Sequence, residues 1–381
     1  MRSVAVFVLI ALSLEAFLPL TVARAVEPAP PPGKDLVVYH IGNSLTRCIP
    51  LERLAELFEA AGGRYDYGMQ LGGGHRLEQH LSMRNHGNKP GEGRYNTVEP
   101  YGTWDHAFKN YRFDAVILQP YKGKLDQEPH VVDHWPWFTA GDLQAASGLI
   151  DYARARTRPG EGRWDREHAN TTNVAADRFY IYATWPGAGE ILEQDGEPTY
   201  ASYWDDAYGG EVQACRDFYD RLVRRLNEHH PDLPVPVRMI PVGDVLARLD
   251  EKIRSGRLPG IESFYARNQK YFIKSRRNNK NPSPFGPGQF ARRAGVLNFY
   301  ADGIHMNDQP HNGRDSGTIG SYVSALTHYA TLTGESPLGL TTGPYEQFDP
   351  QKDAELIRAL QEAVWEVVST HPHTGVCGHG G

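Results

Sequence analysis

Ser44 stands in "HIGNSLT", residues 40–46, directly after the apolar run "LVVY". The local sequence supports two readings. In the first, Gly42 allows a tight turn, Asn43 suits a turn or cap, and Ser44 N-caps a following helix. In the second, Ser44 is a nucleophile at a strand-to-helix junction, which requires a base and an oxyanion hole elsewhere in the chain. "ADGIHMND", residues 301–308, offers the base. Asp302 and His305 are three apart, so one turn places them on the same side. His305 would take the hydroxyl proton, while Asp302 would hold the ring tautomer and stabilise the imidazolium. Taken alone, D-x-x-H is better explained by a capping aspartate with an incidental histidine. The three cysteines, Cys48, Cys215 and Cys377, are too few and too odd in number for a disulfide framework. Cys48 lies one helical turn past Ser44 and reads as a small core residue.

The elements that would position these groups alternate between strand and helix. "DLVVYHIGNS" reads as a buried strand. In "PLERLAELFEAAGG", Leu51, Leu54, Leu57 and Phe58 share one helical face, with Pro50 at the start and Gly62 at the C-cap. "YDYGMQLGGG" is a strand running into a glycine loop, "FDAVILQPY" and "FYIYATWPG" are further strands, and "VPVRMIPVGDVLARL" is strand then helix. "SYVSALTHYATLTG" and "KDAELIRALQEAVWEVVST" read as helices. Such alternation implies a parallel sheet covered on both faces, with ligands at the carboxyl ends of its strands, where Ser44 falls.

The chain reads as one domain over residues 35–370, with insertions near 122–173 and 251–300 and a flexible tail at 371–381. Residues 1–25 have a short positive start, an apolar middle and an Ala-Arg-Ala ending, which reads as a secretory signal. Residues 26–34 form a Pro-rich leader. Glu15 interrupts the apolar run, which is short for a membrane span, and nothing later reads as one. The expectation is a secreted or periplasmic protein. A net charge of -6 gives no global basic character, so nucleic acid is not the expected partner.

Gly-Asn-Ser at the first strand's end, a glycine loop after the second and D-x-x-H near the C-terminus resemble the SGNH (GDSL-like) hydrolase superfamily over residues 35–340. The resemblance is closest to a branch with "GNS" at the serine and "LQ" at the third block, here "VILQPY", residues 116–121. The ending "DGIHMNDQPHNGRDSGTIGSYVSALTHYATLTGESPLG" also resembles that branch, and is the more specific match. The resemblance implies a flavodoxin-like three-layer α/β sandwich and a catalytic set of Ser44, Asp302 and His305, with no cofactor. It implies an oxyanion hole from the N–H groups of Ser44 and Gly74, with Gly73 as the other register. The superfamily's third donor is an Asn in G-x-N-D. This chain has no such motif there, and Gln119 is the expected substitute.

Other features carry weaker signals. Arg267 to Arg293 holds eight Lys or Arg and no acid, so Arg276 and Arg277 would steer an anionic polymer if the segment lines the cleft; a solvated loop explains it as well. Trp185, at a strand end, either lines the pocket or belongs to the core. His75, His80 and His106 have no zinc-like spacing, and His80 is expected near the glycine loop. "HPHTGVCGHGG" could chelate a metal but reads better as a frayed end. The expected activity is a serine esterase removing acyl groups such as acetyl from a small-molecule or polysaccharide ester. The alternatives are a non-catalytic carbohydrate-binding protein on the same fold, or a lipase or thioesterase. The lack of an apolar lid segment argues mildly against the last.

Overall fold

The computed structural model describes residues 33–83, 95–120, 141–154, 174–185, 193–194, 197–198, 211–261, 299, 305–306, 318–342, 345 and 348–376. Its strands are β1 (Asp35–Gly42), β2 (Arg64–Leu71), β3 (Asn96–Thr97), β4 (Ala115–Leu118), β5 (Phe179–Ala183), β6 (Glu193–Gln194), β7 (Glu197–Pro198) and β8 (Arg238–Pro241). The helices are α1 (Leu51–Ala60), α2 (Leu77–Leu81), α3 (Trp104–Asn110), α4 (Asp142–Ala153), α5 (Glu211–His229), α6 (Val242–Arg254), α7 (Ile319–Thr333) and α8 (Ala354–Thr370).

Six strands form one sheet in the order β3-β2-β1-β4-β5-β8, and β6 with β7 makes a separate hairpin. All neighbours in the main sheet are parallel except the edge pair β2–β3. Side chains of β1, β4 and β5 alternate between two cores. Val38, Ile117, Tyr180 and Tyr182 join α1, α6, α7 and α8 on one face. Ile41, Val116, Leu118 and Ile181 join α2, α3, α4 and α5 on the other. Both faces are therefore covered, which is why the strands read as apolar runs rather than alternating ones. The chain leaves β1 toward β2 on one side and later returns to place β4 on the other. The carboxyl ends of β1 and β4 thus flank the point where strand order reverses, where α/β sheets leave a crevice.

The α1 face is as its spacing predicts: Leu51, Leu54, Leu57 and Phe58 are buried, Pro50 is the N-cap, and Gly62 follows the end at φ +79°. Helix α7 is buried along its whole length. Its Ser324, Thr327 and Thr333 hydroxyls donate to carbonyls four residues back, so these three are satisfied within the helix.

Two expected boundaries shift. The insertion expected at 122–173 contains α4, whose Leu143, Leu149 and Ile150 are core residues. Pro- and Gly-rich flanks hid a crossover helix. The tail expected to be flexible from 371 is packed through Val376. Met239 N–H donates to the His373 carbonyl at 2.8 Å, Thr374 is fully buried and Val376 nearly so. The expected signal, residues 1–25, and residues 26–32 of the expected leader lie outside the described residues. Among the described residues, no helix is long and apolar enough to cross a membrane.

Candidate active site

β1 must end in glycine at position 42. A Cβ there would lie 2.2 Å from Thr46 Oγ1 and 2.8 Å from Gln119 Cβ. The chain then turns sharply through Asn43 and Ser44 into a 3-10 turn at Thr46–Cys48. Asn43 makes that turn with its own side chain, Oδ1 accepting Leu45 N–H at 2.9 Å. Its Nδ2 donates to the His75 carbonyl at 3.0 Å, and Gly72 N–H donates to the Gly42 carbonyl at 3.1 Å. Two hydrogen bonds thus fasten the glycine loop to the serine turn.

Ser44, half-buried, meets His305: Nε2 lies 2.8 Å from Ser44 Oγ. Their separation of 261 residues makes this a contact of tertiary structure alone. With Nε2 unprotonated, the serine hydroxyl donates to it, the geometry a general base needs. Asp302 lies outside the described residues, as do Arg276 and Arg277.

The glycine loop is a turn closed by His75 N–H donating to the Gly72 carbonyl, with Gly74 at φ +67°. Gly73 and Gly74 are exposed. Among the described residues, the backbone N–H groups of Ser44, Gly73 and Gly74 donate to no protein acceptor. Unengaged donors on two loops fastened to each other, one of them carrying the serine, can receive an oxyanion. The loop has a rigid backing. Gln70 Nε2 donates to His80 Nδ1 at 3.1 Å and its Oε1 accepts Trp104 N–H at 3.0 Å, while Trp104 Nε1 donates to the His80 carbonyl at 2.8 Å. Burial, and then neighbouring His75, push His80 down to about 3, so it stays neutral.

Gln119 differs from the expectation. Its Oε1 accepts Asn43 N–H at 2.9 Å and the Thr46 hydroxyl at 3.3 Å, and its Nε2 donates to the Pro120 carbonyl. The side chain is fully buried. The Asn43 N–H requires an acceptor, which fixes the carboxamide with its oxygen toward the serine turn. In this structure Gln119 braces the turn that carries Ser44, through Asn43 and Thr46, and its amide nitrogen is taken up by the Pro120 carbonyl. Of the two expected places for Trp185, the core is the one observed and the pocket wall is not: it is fully buried and edge-on to Tyr182 at 6.2 Å. Two residues near the site were missed as contributors. Asn43 was legible only as a turn former, and Cys48 only as core.

The sequence matches no family model and no curated protein. A crystal structure of a DUF4886 family protein from Bacteroides uniformis aligns with a TM-score of 0.46 at 18% identity, covering 88% of this chain and 95% of that one.

Proposed function

We propose that the protein is a secreted serine hydrolase of the SGNH type that cleaves ester bonds, with acetyl or other short acyl groups on carbohydrate as the substrate class. The observation that carries the reading is the 2.8 Å contact between Ser44 Oγ and His305 Nε2. The parallel strands, counted in chain order, run 2-1-3-4-5 across the sheet, the flavodoxin-like order, and Ser44 follows the first of them at the reversal point. In the proposed reaction, His305 removes the Ser44 proton as Oγ attacks the ester carbonyl. The N–H groups of Ser44 and Gly74 hold the oxyanion. The imidazolium then protonates the departing alcohol, and water repeats the cycle on the acyl-enzyme. Asp302 is proposed to orient the imidazole.

Gln119 gives the binding-protein reading a specific footing, because its engagement with the serine turn leaves the hole with backbone donors only. Turnover of 4-nitrophenyl acetate against longer acyl esters, with Ser44→Ala and His305→Ala beside wild type, separates the readings. The hydrolase should favour acetate, and each substitution should remove nearly all activity while leaving the fold intact, because the two residues act as a unit. Folded Ser44→Ala retaining most of the activity would sink the mechanism. A silent wild type would favour the binding protein, and a preference for long acyl chains the lipase.

A further inference from the structure

Cys48 closes the 3-10 turn that begins just after Ser44, and its sulfur is fully buried. The sulfur touches the backbone on both sides of the candidate site. It lies 3.8 Å from the Ser44 carbonyl, within reach of a thiol donor, and it accepts the Met306 N–H at 3.2 Å. Met306 is the residue after His305, and it is held at every polar and apolar handle. Its carbonyl accepts the Thr318 hydroxyl, whose oxygen also lies 3.0 Å from the Phe299 carbonyl oxygen. Its side chain is fully buried against Gly320, where a Cβ would sit 2.6 Å from Met306 Sδ. The Ser324 hydroxyl lies 4.0 Å from the same sulfur.

We propose that Cys48 is a positioning residue, its sulfur fixing the separation of Ser44 and His305 by bridging the backbones that carry them. The proposal rests on the hydrolase reading above. One peptide unit separates His305 from a residue clamped by Cys48, Thr318 and Gly320, and adjacent Cα atoms are ~3.8 Å apart, so little slack reaches the imidazole. Chemistry of this kind is sensitive to such slack, since a misplacement of ~1 Å can cost ~100-fold.

The test compares Cys48→Ala, Cys48→Val and Cys48→Ser with wild type on 4-nitrophenyl acetate. Hydrogen exchange of the Met306 amide is followed by NMR, and thermal melting confirms the fold. Valine fills the space without offering an acceptor, and serine restores one. Cys48→Ala and Cys48→Val should lower kcat by ~10–100-fold with KM unchanged within about twofold, and should speed Met306 amide exchange. Cys48→Ser should recover much of kcat and of the protection. If the wild type turns over and folded Cys48→Val equals it, the positioning role is wrong while the hydrolase reading stands. If Cys48→Ser is as impaired as Cys48→Val, the acceptor is not what matters and the proposal also fails. A wild type with no turnover overturns the hydrolase reading and this proposal with it.

Discussion

Asn43 N–H and the Thr46 hydroxyl both end on Gln119 Oε1, in a place where no solvent can substitute for it. Removing that oxygen leaves a buried N–H with no partner, a loss of ~1–3 kcal/mol. Gln119→Ala should therefore lower the melting temperature and kcat together, because the turn carrying Ser44 loosens. An oxyanion donor at this position would behave differently, with kcat falling ~10²–10³-fold and stability untouched. Measuring Tm and kcat on the same preparation distinguishes the two, and a loss of kcat without a loss of Tm would contradict the bracing role. The sequence shows an amide at a strand end but not which way it points. That direction is set by Asn43, seventy-six residues away in the chain.

The elements around the site were easier to read than its side chains. β1, α1, β2, β4, β5, β8, α6, α7 and α8 follow from apolar runs, helical spacing and glycine stops, because local pattern and tertiary burial agree there. Helix α4 was missed because its flanks are rich in turn formers and charge, and the packed segment 371–376 because a backbone bond ties it to β8 and a threonine hydroxyl ties it to α8. Gly42 is where element and site meet. Gly42→Ala would drive a methyl group into Thr46 and Gln119, so β1 could no longer close against the serine turn. The expected outcome is loss of the proposed ester hydrolysis together with a lower melting temperature. Wild-type behaviour in both measurements would show that the turn is looser than the packing implies. The contact between Ser44 and His305 was legible only through the family resemblance, since no local rule joins residues so far apart in sequence.

At the scale of the whole molecule, three of the buried histidines among the described residues, His40, His80 and His328, are fully enclosed. His40 bonds to the Tyr65 hydroxyl at 2.7 Å, His328 Nδ1 donates to the Ser324 carbonyl at 2.7 Å, and His80 backs the glycine loop. Burial pushes all three down to about 3, with His328 adding to the effect on His40 and His75 to that on His80. In the unfolded chain each would titrate near ~6.5, so below that pH the unfolded state binds protons the folded state refuses. Stability contributed by the neutral rings is complete above ~6.5 and falls as the pH drops toward 3, by ~1.4 kcal/mol per pH unit for each ring. The melting temperature should hold from pH 8 to 7 and decline steadily from 7 to 5, before most carboxylates titrate. A flat profile across that window would mean these rings are charged or hydrated in the folded protein. Covalent labelling tests the proposed role of Ser44 most directly. Treatment with a fluorophosphonate, followed by peptide mass mapping, should place a single adduct on Ser44 Oγ. The adduct should be absent in Ser44→Ala and should form far more slowly in His305→Ala, where no base activates the hydroxyl. An unlabelled wild-type protein, or an adduct on another residue that persists in Ser44→Ala, would contradict the account.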